Sequence, residues 1–432
     1  MIDPNIVGYL MIAGLCLLLV VGMPIAFALG LTGLAGLAAT RGTRSLEFLA
    51  GAEPFSTTAN LTLIIVPLSL FMGHLALTAG LSERAFAAAR AWVGHVRGGL
   101  AIASVFACAG FATVTGASVA TAATMSRIAI PQMLLAGYSQ RMAAGAVAAG
   151  GTLGVLIPPS GVLVIYSLAT GVSLTKLLVA AVVPGVLTAI AYAIGISIVS
   201  RFDPQVRAAA RGAPADLRTR LGSLARSWEV ALLFLTVMGA IYGGVATPTE
   251  ATAVGAGVAL LIALRHTAGR RRELLQGLVE TGFSSAAIFA LILGSALFSL
   301  GFATTQLPQA LAGWVAGFDL PPALLTVLLL LPFLVLGAFI DGLSMILLTM
   351  PTVFPVVQQA GIDPILFGIL VTKMTEIGVI SPPVGLNVFV VKGACPELST
   401  GQIFRGCVPF ILIEFVLIAL LIAVPELTTV AL

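Results

Sequence analysis

Charged residues are scarce in this chain. Only 9% of its 432 residues are Asp, Glu, Lys or Arg, whereas 59% are hydrophobic; soluble domains carry roughly 25% charge. This composition excludes an ordinary soluble domain. Long apolar runs recur from end to end without the alternating pattern of a β-barrel, so the sequence predicts an all-α polytopic membrane protein whose surroundings are a lipid bilayer.

Motifs of common enzymes and metal sites are also missing. The four cysteines show no CxxC or Cys/His spacing and are predicted to be small apolar fillers. No P-loop, HExxH or GxSxG motif occurs, so we expect neither ATP hydrolysis by this chain nor an enzyme. The net charge of +4 comes from arginines in short loops, which is typical of membrane topology rather than of a nucleic-acid partner.

An internal repeat is present instead. The stretch "GVLIPPSGVLVIY" at 154–166 returns as "GVISPPVGLNVFV" at 378–390, a shift of 224 residues that also relates Pro131 to Pro355. One register that holds over so long a distance predicts two related halves, residues 1–200 and 229–432. The polar stretch 201–228 between them is predicted to be a cytoplasmic linker.

Each half is predicted to contain the same four parts. The middle of the run 98–136 reads "FATVTGASVAT", which favours a turn at membrane depth and therefore a re-entrant hairpin. Five true crossings then remain, an odd number, so the second half is inverted. Scaffold spans, hairpin, broken span and last span are placed at 5–80, 98–136, 142–172 and 176–200, and again at 229–305, 321–362, 364–392 and 405–425.

The distribution of basic residues among the loops sets the predicted orientation in the membrane. Six arginines between residues 201 and 226 place the linker in the cytoplasm, and the loop 304–322, without Lys or Arg, falls outside. Both termini are then predicted to be periplasmic.

The number of spans at the start of the chain is left open. Because the "VGMP" connection at 21–24 is short, residues 5–40 are either two spans or one long tilted helix.

Two proline pairs interrupt the spans at equivalent places. A proline in a helix removes a hydrogen bond and clashes with the preceding turn, and Pro158–Pro159 and Pro382–Pro383 double this effect. An unpaired backbone group in hydrocarbon costs several kcal/mol, so such segments survive only inside protein or beside a wet cavity. Freed carbonyls can hold a small cation, and helix N-termini attract an anion.

The hairpin tips supply oxygen atoms. "TVTGAS" offers the hydroxyls of Thr113, Thr115 and Ser118, which suit a hard monovalent cation; the alternative is that they bond back to their own helix. "GAFIDGLS" offers Asp341 and Ser344 in the second half. Two tips that meet two broken helices near the midplane would form an ion and substrate centre on a pseudo-twofold axis.

Charged residues inside spans have simpler interpretations. Lys373 and Glu376 stand three apart on one helix and are expected to neutralise each other. Glu250 in "TPTEA" is predicted to cap the start of a helix.

Four motifs together resemble a known family. "TGASVAT", "GGTLGVLIPPS", "GGVATPTEATAVGAG" and "SPPVGLNVFVVKG" are similar to the large membrane subunit of TRAP (tripartite ATP-independent periplasmic) transporters, over nearly the whole chain. The resemblance implies an ion-transporter-superfamily elevator fold in the bacterial inner membrane. It also implies that sodium ions drive import of an organic acid, which a periplasmic substrate-binding protein delivers, and that a small four-helix membrane subunit is a separate partner.

The resemblance also implies site residues. Sodium ligands would come from each hairpin tip with its neighbouring break, and the substrate would lie between the two pairs. The tip here reads TGAS rather than TGSS, so at Ala117 one side-chain ligand of the family is either missing or replaced by a backbone group. The implied sodium ligands are Thr113, Thr115, Gly116, Gly154, Pro158, Gly337, Asp341, Ser344, Gly378, Ser381 and Pro382, and the implied substrate residues are Ser118, Ser160, Gly161, Gly385 and Asn387.

The alternative is a self-sufficient sodium-coupled carboxylate transporter or exchanger of the same superfamily.

Overall fold

The computed structural model describes residues 3–42, 46, 51–52, 55–208, 215–266, 271–316 and 320–430. Every regular element within these ranges is a helix, which confirms the all-α prediction. A 3-10 turn at Leu61–Ile64 leads directly into α3. The α-helices are α1 Pro4–Val20, α2 Ile25–Arg41, α3 Ile65–Thr78, α4 Leu81–Val93, α5 Gly99–Thr115, α6 Ser118–Leu135, α7 Gln140–Leu156, α8 Gly161–Thr170, α9 Leu174–Phe202, α10 Pro204–Ala208, α11 Leu217–Arg226, α12 Trp228–Tyr242, α13 Pro248–His266, α14 Arg271–Ala303, α15 Leu307–Ala316, α16 Pro322–Gly337, α17 Gly342–Gln359, α18 Pro364–Gly378, α19 Leu386–Ala394, α20 Thr400–Ala423 and α21 Glu426–Thr429.

The helix order repeats with the spacing of the sequence motifs. Helices α1–α9 correspond in order to α12–α20; for example, α6 and α17 begin at Ser118 and Gly342, and α7 and α18 at Gln140 and Pro364, both 224 residues apart. Each half therefore holds a helical hairpin, α5–α6 or α16–α17, followed by a broken helix, α7–α8 or α18–α19. The inverted orientation of the halves in the bilayer stays a prediction.

The first two helices answer a question that the sequence left open. α1 and α2 are separate helices that pack against each other, joined through residues 21–24. Gly22 adopts a φ of 89° in this turn, a conformation that glycine reaches without a steric penalty. Residues 5–40 are therefore two helices rather than one.

Two amphipathic helices were not expected. α4 (Leu81–Val93) was not predicted, and residues 304–322 were predicted as a loop although α15 (Leu307–Ala316) forms there. A search for continuous apolar runs overlooks α4, because charged residues interrupt its apolar stripe on one side. Helix α15 carries no charged residue, but its ten residues are too few for a membrane span. In α4, Leu81 and Phe86 are buried while Glu83 is exposed.

The segment between the halves is partly helical. α9 continues to Phe202, α10 follows, and α11 packs against α4 before the chain bends by 54° into α12. At the next connection the predicted cap is confirmed, since the Glu250 carboxylate accepts hydrogen bonds of 2.8 Å from the Thr247 backbone N–H and hydroxyl.

The two halves interlock crosswise. α2 packs on α14 while its counterpart α13 packs on α3, and α8 packs on α17 while its counterpart α19 packs on α6. At the first of these contacts the backbones nearly touch: a Cβ on Gly294 would lie 2.1 Å from the Ala26 carbonyl oxygen, and one on Gly301 would lie 2.3 Å from that of Gly33. Small residues at such positions permit close helix packing in membranes.

Several helices have the length and composition of membrane spans. Five qualify within the described residues, or up to seven if each bent pair counts as one span. Other parts of the protein cover only some of the apolar surface of these helices. In α14, for example, 33% of the most apolar 18-residue segment is buried. The structure thus agrees with a multi-pass membrane protein.

Substitution of Gly294 by valine tests the α2–α14 contact. Because the new side chain would overlap the Ala26 carbonyl, we expect Gly294→Val to lower the free energy of unfolding by about 2 kcal/mol or more. Thermal unfolding in detergent measures this. Gly282→Val on the same helix is the control, since a Cβ at Gly282 meets nothing within 4 Å; equal losses in both variants would contradict the close contact.

Candidate functional site

The first hairpin turns at a glycine that touches the first break. Gly116 and Ala117 join α5 to α6, and Gly116 has a φ of 60°. A Cβ at Gly116 would lie 2.3 Å from the Pro159 carbonyl oxygen. Its own carbonyl accepts a hydrogen bond of 3.4 Å from the Gly161 backbone N–H. Only glycine fits both the conformation and the contact.

The first break is a short connection between two half-helices. α7 ends at Leu156, α8 begins at Gly161, the bend is 40°, and the Pro158–Pro159 peptide bond is cis. Ser160 caps α8, because its hydroxyl accepts a hydrogen bond of 3.2 Å from the Leu163 N–H, and it donates to the Val155 carbonyl. Groups that the prolines free are thus partly satisfied within the break.

The second hairpin turns at a carboxylate. Asp341 caps α17: its Oδ1 accepts hydrogen bonds from the backbone N–H groups of Leu343 (3.0 Å) and Ser344 (3.2 Å). The Ser344 hydroxyl donates to the other carboxylate oxygen at 2.5 Å. Asp341 is therefore held in place by its own helix.

The second break repeats the contact of the first. The Gly385 N–H donates to the Ala338 carbonyl at the tip of the second hairpin, at 3.1 Å, as the Gly161 N–H donates to Gly116. Gly378, the last residue of α18, lies directly against Gly337. A Cβ at Gly378 would lie 2.5 Å from the backbone of Gly337. Each tip is thus bound to the break of its own half.

A cavity of about 120 Å³ lies between the two tips and the two breaks. Helix α3 and Ile288 of α14 close one side. Its polar lining residues are Ser69, Thr115, Ser118, Ser160, Asp341 and Thr375.

Four helices begin at this cavity. The first residues of α6, α8, α17 and α19 all belong to its lining. The N-terminus of a helix carries a partial positive charge and free N–H groups, so it favours an anion. The arrangement places four such termini around one small space.

The structure brings some of the predicted site residues together at this cavity and leaves others outside. Those that line it are Thr115, Gly116, Ser118, Ser160, Gly161 and Asp341. Those outside the lining are Thr113, Gly154, Pro158, Gly337, Ser344, Gly378, Ser381, Pro382, Gly385 and Asn387. Of the latter, Gly154, Gly337 and Gly378 form backbone contacts beside the tips.

The hydroxyl groups differ in what they bind. Thr113 donates to the Gly110 carbonyl at 2.7 Å, and Thr115 donates to that of Phe111 at 3.3 Å, which is the back-bonded alternative. The Thr113 side chain borders a different recess, between α4, α5 and α12. The Ser118 hydroxyl makes no hydrogen bond with any described residue, and it lines the cavity.

Asn387 joins the two halves rather than lining the cavity. It is fully buried, its backbone N–H donates to Val379 at 2.9 Å, and its side-chain amide donates to the Ala148 carbonyl of α7 at 3.2 Å.

Two lining residues were missed by the sequence analysis. Ser69 and Thr375 lie within apolar helices and belong to no repeated motif. Thr375 could have been noticed from its position three residues before the second break; Ser69 gave no signal.

A buried cluster of charges lies behind the second break. Lys373 and Glu376 pair as predicted, with Nζ and Oε2 2.7 Å apart, but Glu414 of α20 also lies 2.5 Å from Nζ. The ammonium group further donates to Thr188 of α9 at 2.7 Å, and the Tyr192 hydroxyl donates to Glu414 at 2.6 Å. All three charged side chains are completely buried. The cluster therefore ties α18, α9 and α20 together.

Glu414 was missed by the sequence analysis. A lone glutamate in a long apolar run is itself a signal, because a charged residue inside a membrane span usually has a functional role or a charged partner.

These features define a class of protein. Apolar helices, paired hairpins and paired broken helices around an internal cavity are the architecture of a membrane transport protein. The chain belongs to the DctM component family of the tripartite ATP-independent periplasmic transporters, whose family model matches residues 12–427. It is thus a large permease subunit of the TRAP type.

Individual relatives agree with this assignment. The chain is 38% identical to the C4-dicarboxylate TRAP transporter large permease protein DctM of Pseudomonas aeruginosa, over 86% of each chain. It is 32% identical to the sialic acid TRAP transporter large permease protein SiaM of Vibrio cholerae, over 95% of each. The crystal structure of the Alcanivorax borkumensis YdaH transporter matches its fold with a TM-score of 0.66, at 18% identity, over 98% of each chain.

Removal of the buried ammonium tests the charge cluster. Lys373→Met leaves Glu376 and Glu414 buried without a cation, so we expect the free energy of unfolding to fall by about 3–5 kcal/mol. The triple variant Lys373→Met/Glu376→Gln/Glu414→Gln removes all three charges and should regain most of that loss. Unfolding in detergent measures both; a triple variant as unstable as the single one would argue against charge as the cause.

Proposed function

We propose that this chain is the membrane-translocating subunit of a sodium-driven transporter that imports an organic acid delivered by a periplasmic substrate-binding protein. The observation that supports this most is the cavity between the hairpin tips, where four helix N-termini and one carboxylate, Asp341, meet. The helix termini suit an anion, and the carboxylate with neutral oxygens suits a cation. Such a site can hold both together.

Charge balance supports cation coupling. Asp341 is the one charged residue in the described lining of the cavity, which includes no Lys, Arg or His. An organic anion that entered alone would add negative charge to a space of low dielectric, at a high cost. Sodium ions that enter with it would offset this charge. Each positive charge that moves inward through 100 mV also contributes about 2.3 kcal/mol to uptake.

The substrate class is supported by the relatives and by the site. The names of the two relatives refer to C4-dicarboxylates and sialic acid, both of which are organic acids. A carboxylate accepts hydrogen bonds from free N–H groups at helix N-termini. We assign substrate contact to the Ser118 hydroxyl, which has no hydrogen-bond partner among the described residues, and to the N-terminus of α8 at Gly161. Because the Gly161 N–H already donates to Gly116, this terminus would act mainly through its partial positive charge.

An elevator movement is the proposed mechanism. Most of the cavity lining belongs to the hairpins and broken helices, whereas α3 and Ile288 supply one wall. We propose that the hairpins and broken helices move as a transport domain against a scaffold that includes α1–α3 and α12–α14. The site would then be exposed to each side of the membrane in turn.

The proposed partners follow from the tripartite family. A small four-helix membrane subunit would extend the scaffold, and the binding protein would deliver the acid from the periplasm. Apolar residues of α1 such as Tyr9, Leu10 and Leu17 are about 60% exposed and suit contact with lipid or with that subunit. The location is the bacterial inner membrane, with both termini in the periplasm.

Reconstituted uptake tests the proposal. Proteoliposomes would contain this permease and the small membrane subunit, with the binding protein and a labelled organic acid outside. Uptake should require both an inward sodium gradient and the binding protein. Uptake that persists without the binding protein would instead indicate the self-sufficient carboxylate transporter, and uptake that ignores sodium would reject sodium coupling.

Asp341→Asn tests the cation role without removing the helix cap. Asparagine caps helices as well as aspartate does, so folding should be kept while the charge is lost. We expect the sodium concentration for half-maximal uptake to rise about tenfold or more, as for the loss of about 1.4 kcal/mol of binding. Adding Ser118→Ala should weaken uptake further.

The matched control for this variant is Asp363→Asn. Asp363 caps α18 through the N–H groups of Ile365 and Leu366 in the same way, but it lies outside the cavity. If Asp341→Asn and Asp363→Asn show the same sodium dependence as the unchanged protein, Asp341 does not bind the ion.

A further inference from the structure

A second cavity lies away from the proposed transport site. Its volume is about 830 Å³, it runs between α9 and α20 beside the start of α7, and it shares no lining residue with the central cavity. Its polar lining includes Gln140, Arg141, Gln402 and Arg405. Arg141 comes from the first half of the chain and Arg405 from the second. The proposed function leaves this cavity without a role.

A close backbone contact brings the two arginines to the same place. α7 and α20 touch at Gly145 and Gly406: a Cβ at Gly145 would lie 2.2 Å from the Gly406 carbonyl oxygen, and one at Gly406 would lie 2.1 Å from that of Arg141. Arg405 directly precedes Gly406 in the sequence. The first turn of α7 is therefore fixed beside the first turns of α20.

Polarity changes along the cavity. On α20 the lining runs from Gln402 and Arg405 to Pro409, Phe410 and Ile413. This distance is about 16 Å at 1.5 Å per residue. The cavity thus has a polar end at the start of α20 and an apolar end further along it.

The lining along α9 also changes from polar to apolar, but here the polar end is at the C-terminal end of the helix. Its lining runs from Asp203 and Phe202 back through Val199 to Gly195. Gly195 meets Ile413, since a Cβ there would lie 2.4 Å from Ile413 Cδ1. Both helices thus contribute polar groups at one end and apolar groups at the other, as an amphiphilic ligand requires.

The polar end has an excess of positive charge. Arg141 and Arg405 are exposed, and neither pairs with an acidic side chain in the described residues. The acidic lining residue, Asp203, is already occupied: it accepts from the Ser139 hydroxyl at 2.6 Å and from the Gln205 and Val206 N–H groups at 3.0 and 3.3 Å. Two guanidinium groups therefore remain free to bind a phosphate.

We propose that this cavity binds an anionic phospholipid, with its phosphate between Arg141 and Arg405 and an acyl chain along the apolar end of α9 and α20. Basic pockets between membrane helices bind anionic lipid headgroups. A free phosphate ion would satisfy the arginines but would leave the apolar end unused. Bound there, the lipid bridges a helix of each half at their glycine contact.

Lipid retention by the purified permease tests the proposal. Native mass spectrometry after exchange into detergent measures how much anionic phospholipid, supplied as phosphatidylglycerol, stays bound. The variant Arg141→Gln/Arg405→Gln should retain it at least about tenfold less, because two charge contacts are lost. Both positions are exposed, so unfolding in detergent should be unchanged.

The control is Arg97→Gln/Arg201→Gln, which removes two exposed arginines that do not line the cavity. We expect retention in this variant to equal that of the unchanged protein. An equal loss in both double variants would overturn the proposal, because surface charge in general would then explain the retention.

The acyl part of the site has its own test. Val199→Trp fills the apolar end and keeps both arginines, so phosphatidylglycerol retention should fall while excess inorganic phosphate should displace little of the lipid from the unchanged protein. Retention that survives Val199→Trp, or lipid that inorganic phosphate displaces completely, would show a simple anion site and overturn the proposal.

Discussion

Backbone hydrogen bonding in a medium without water is the constraint on which this structure depends. Each proline pair stops a helix in the interior of the protein, and the amide that begins the next half-helix needs a partner. The hairpin tip of the same half supplies one: Gly161 donates to Gly116, and Gly385 donates to Ala338. Each tip is therefore held against the break of its own half, and the small cavity is the space that remains between the two tips. The site is thus a consequence of how the breaks are satisfied.

Duplication gives this arrangement its stability. The scaffold helices and the second half-helices pack on elements of the opposite half, so neither half is complete alone. Close backbone contacts such as Gly145 with Gly406 make these exchanges tight. The buried Lys373 cluster adds a polar connection from the second broken helix to α9 and α20. A charged group that is buried away from water needs partners at fixed positions, so this region has one well-defined packing.

Much of the fold could be predicted from the sequence. Hydropathy indicated the class of protein. The 224-residue repeat indicated the two halves, the hairpins and the breaks, because a proline pair recurs at the equivalent place in each half. The resemblance in four motifs gave the family, which the family model confirms. Helix α4 was missed because its charged residues interrupt the apolar stripe, and α15 was missed because its ten residues are too few for a membrane span. The sequence could not decide between one helix and two at residues 5–40, because a short connection permits both.

By itself the sequence determined the composition, the repeat and the positions of the two breaks, since these depend on local residue types. Only the tertiary structure decided which groups face the cavity: Ser118 and Asp341 do, whereas Thr113 and Asn387 do not. It also showed that Ser69 and Thr375 line the same cavity, and that Glu414 contacts Lys373 and Tyr192, which lie far away in the chain. Side-chain direction and partners depend on helix rotation and on contacts between the halves, and no local pattern encodes either of them.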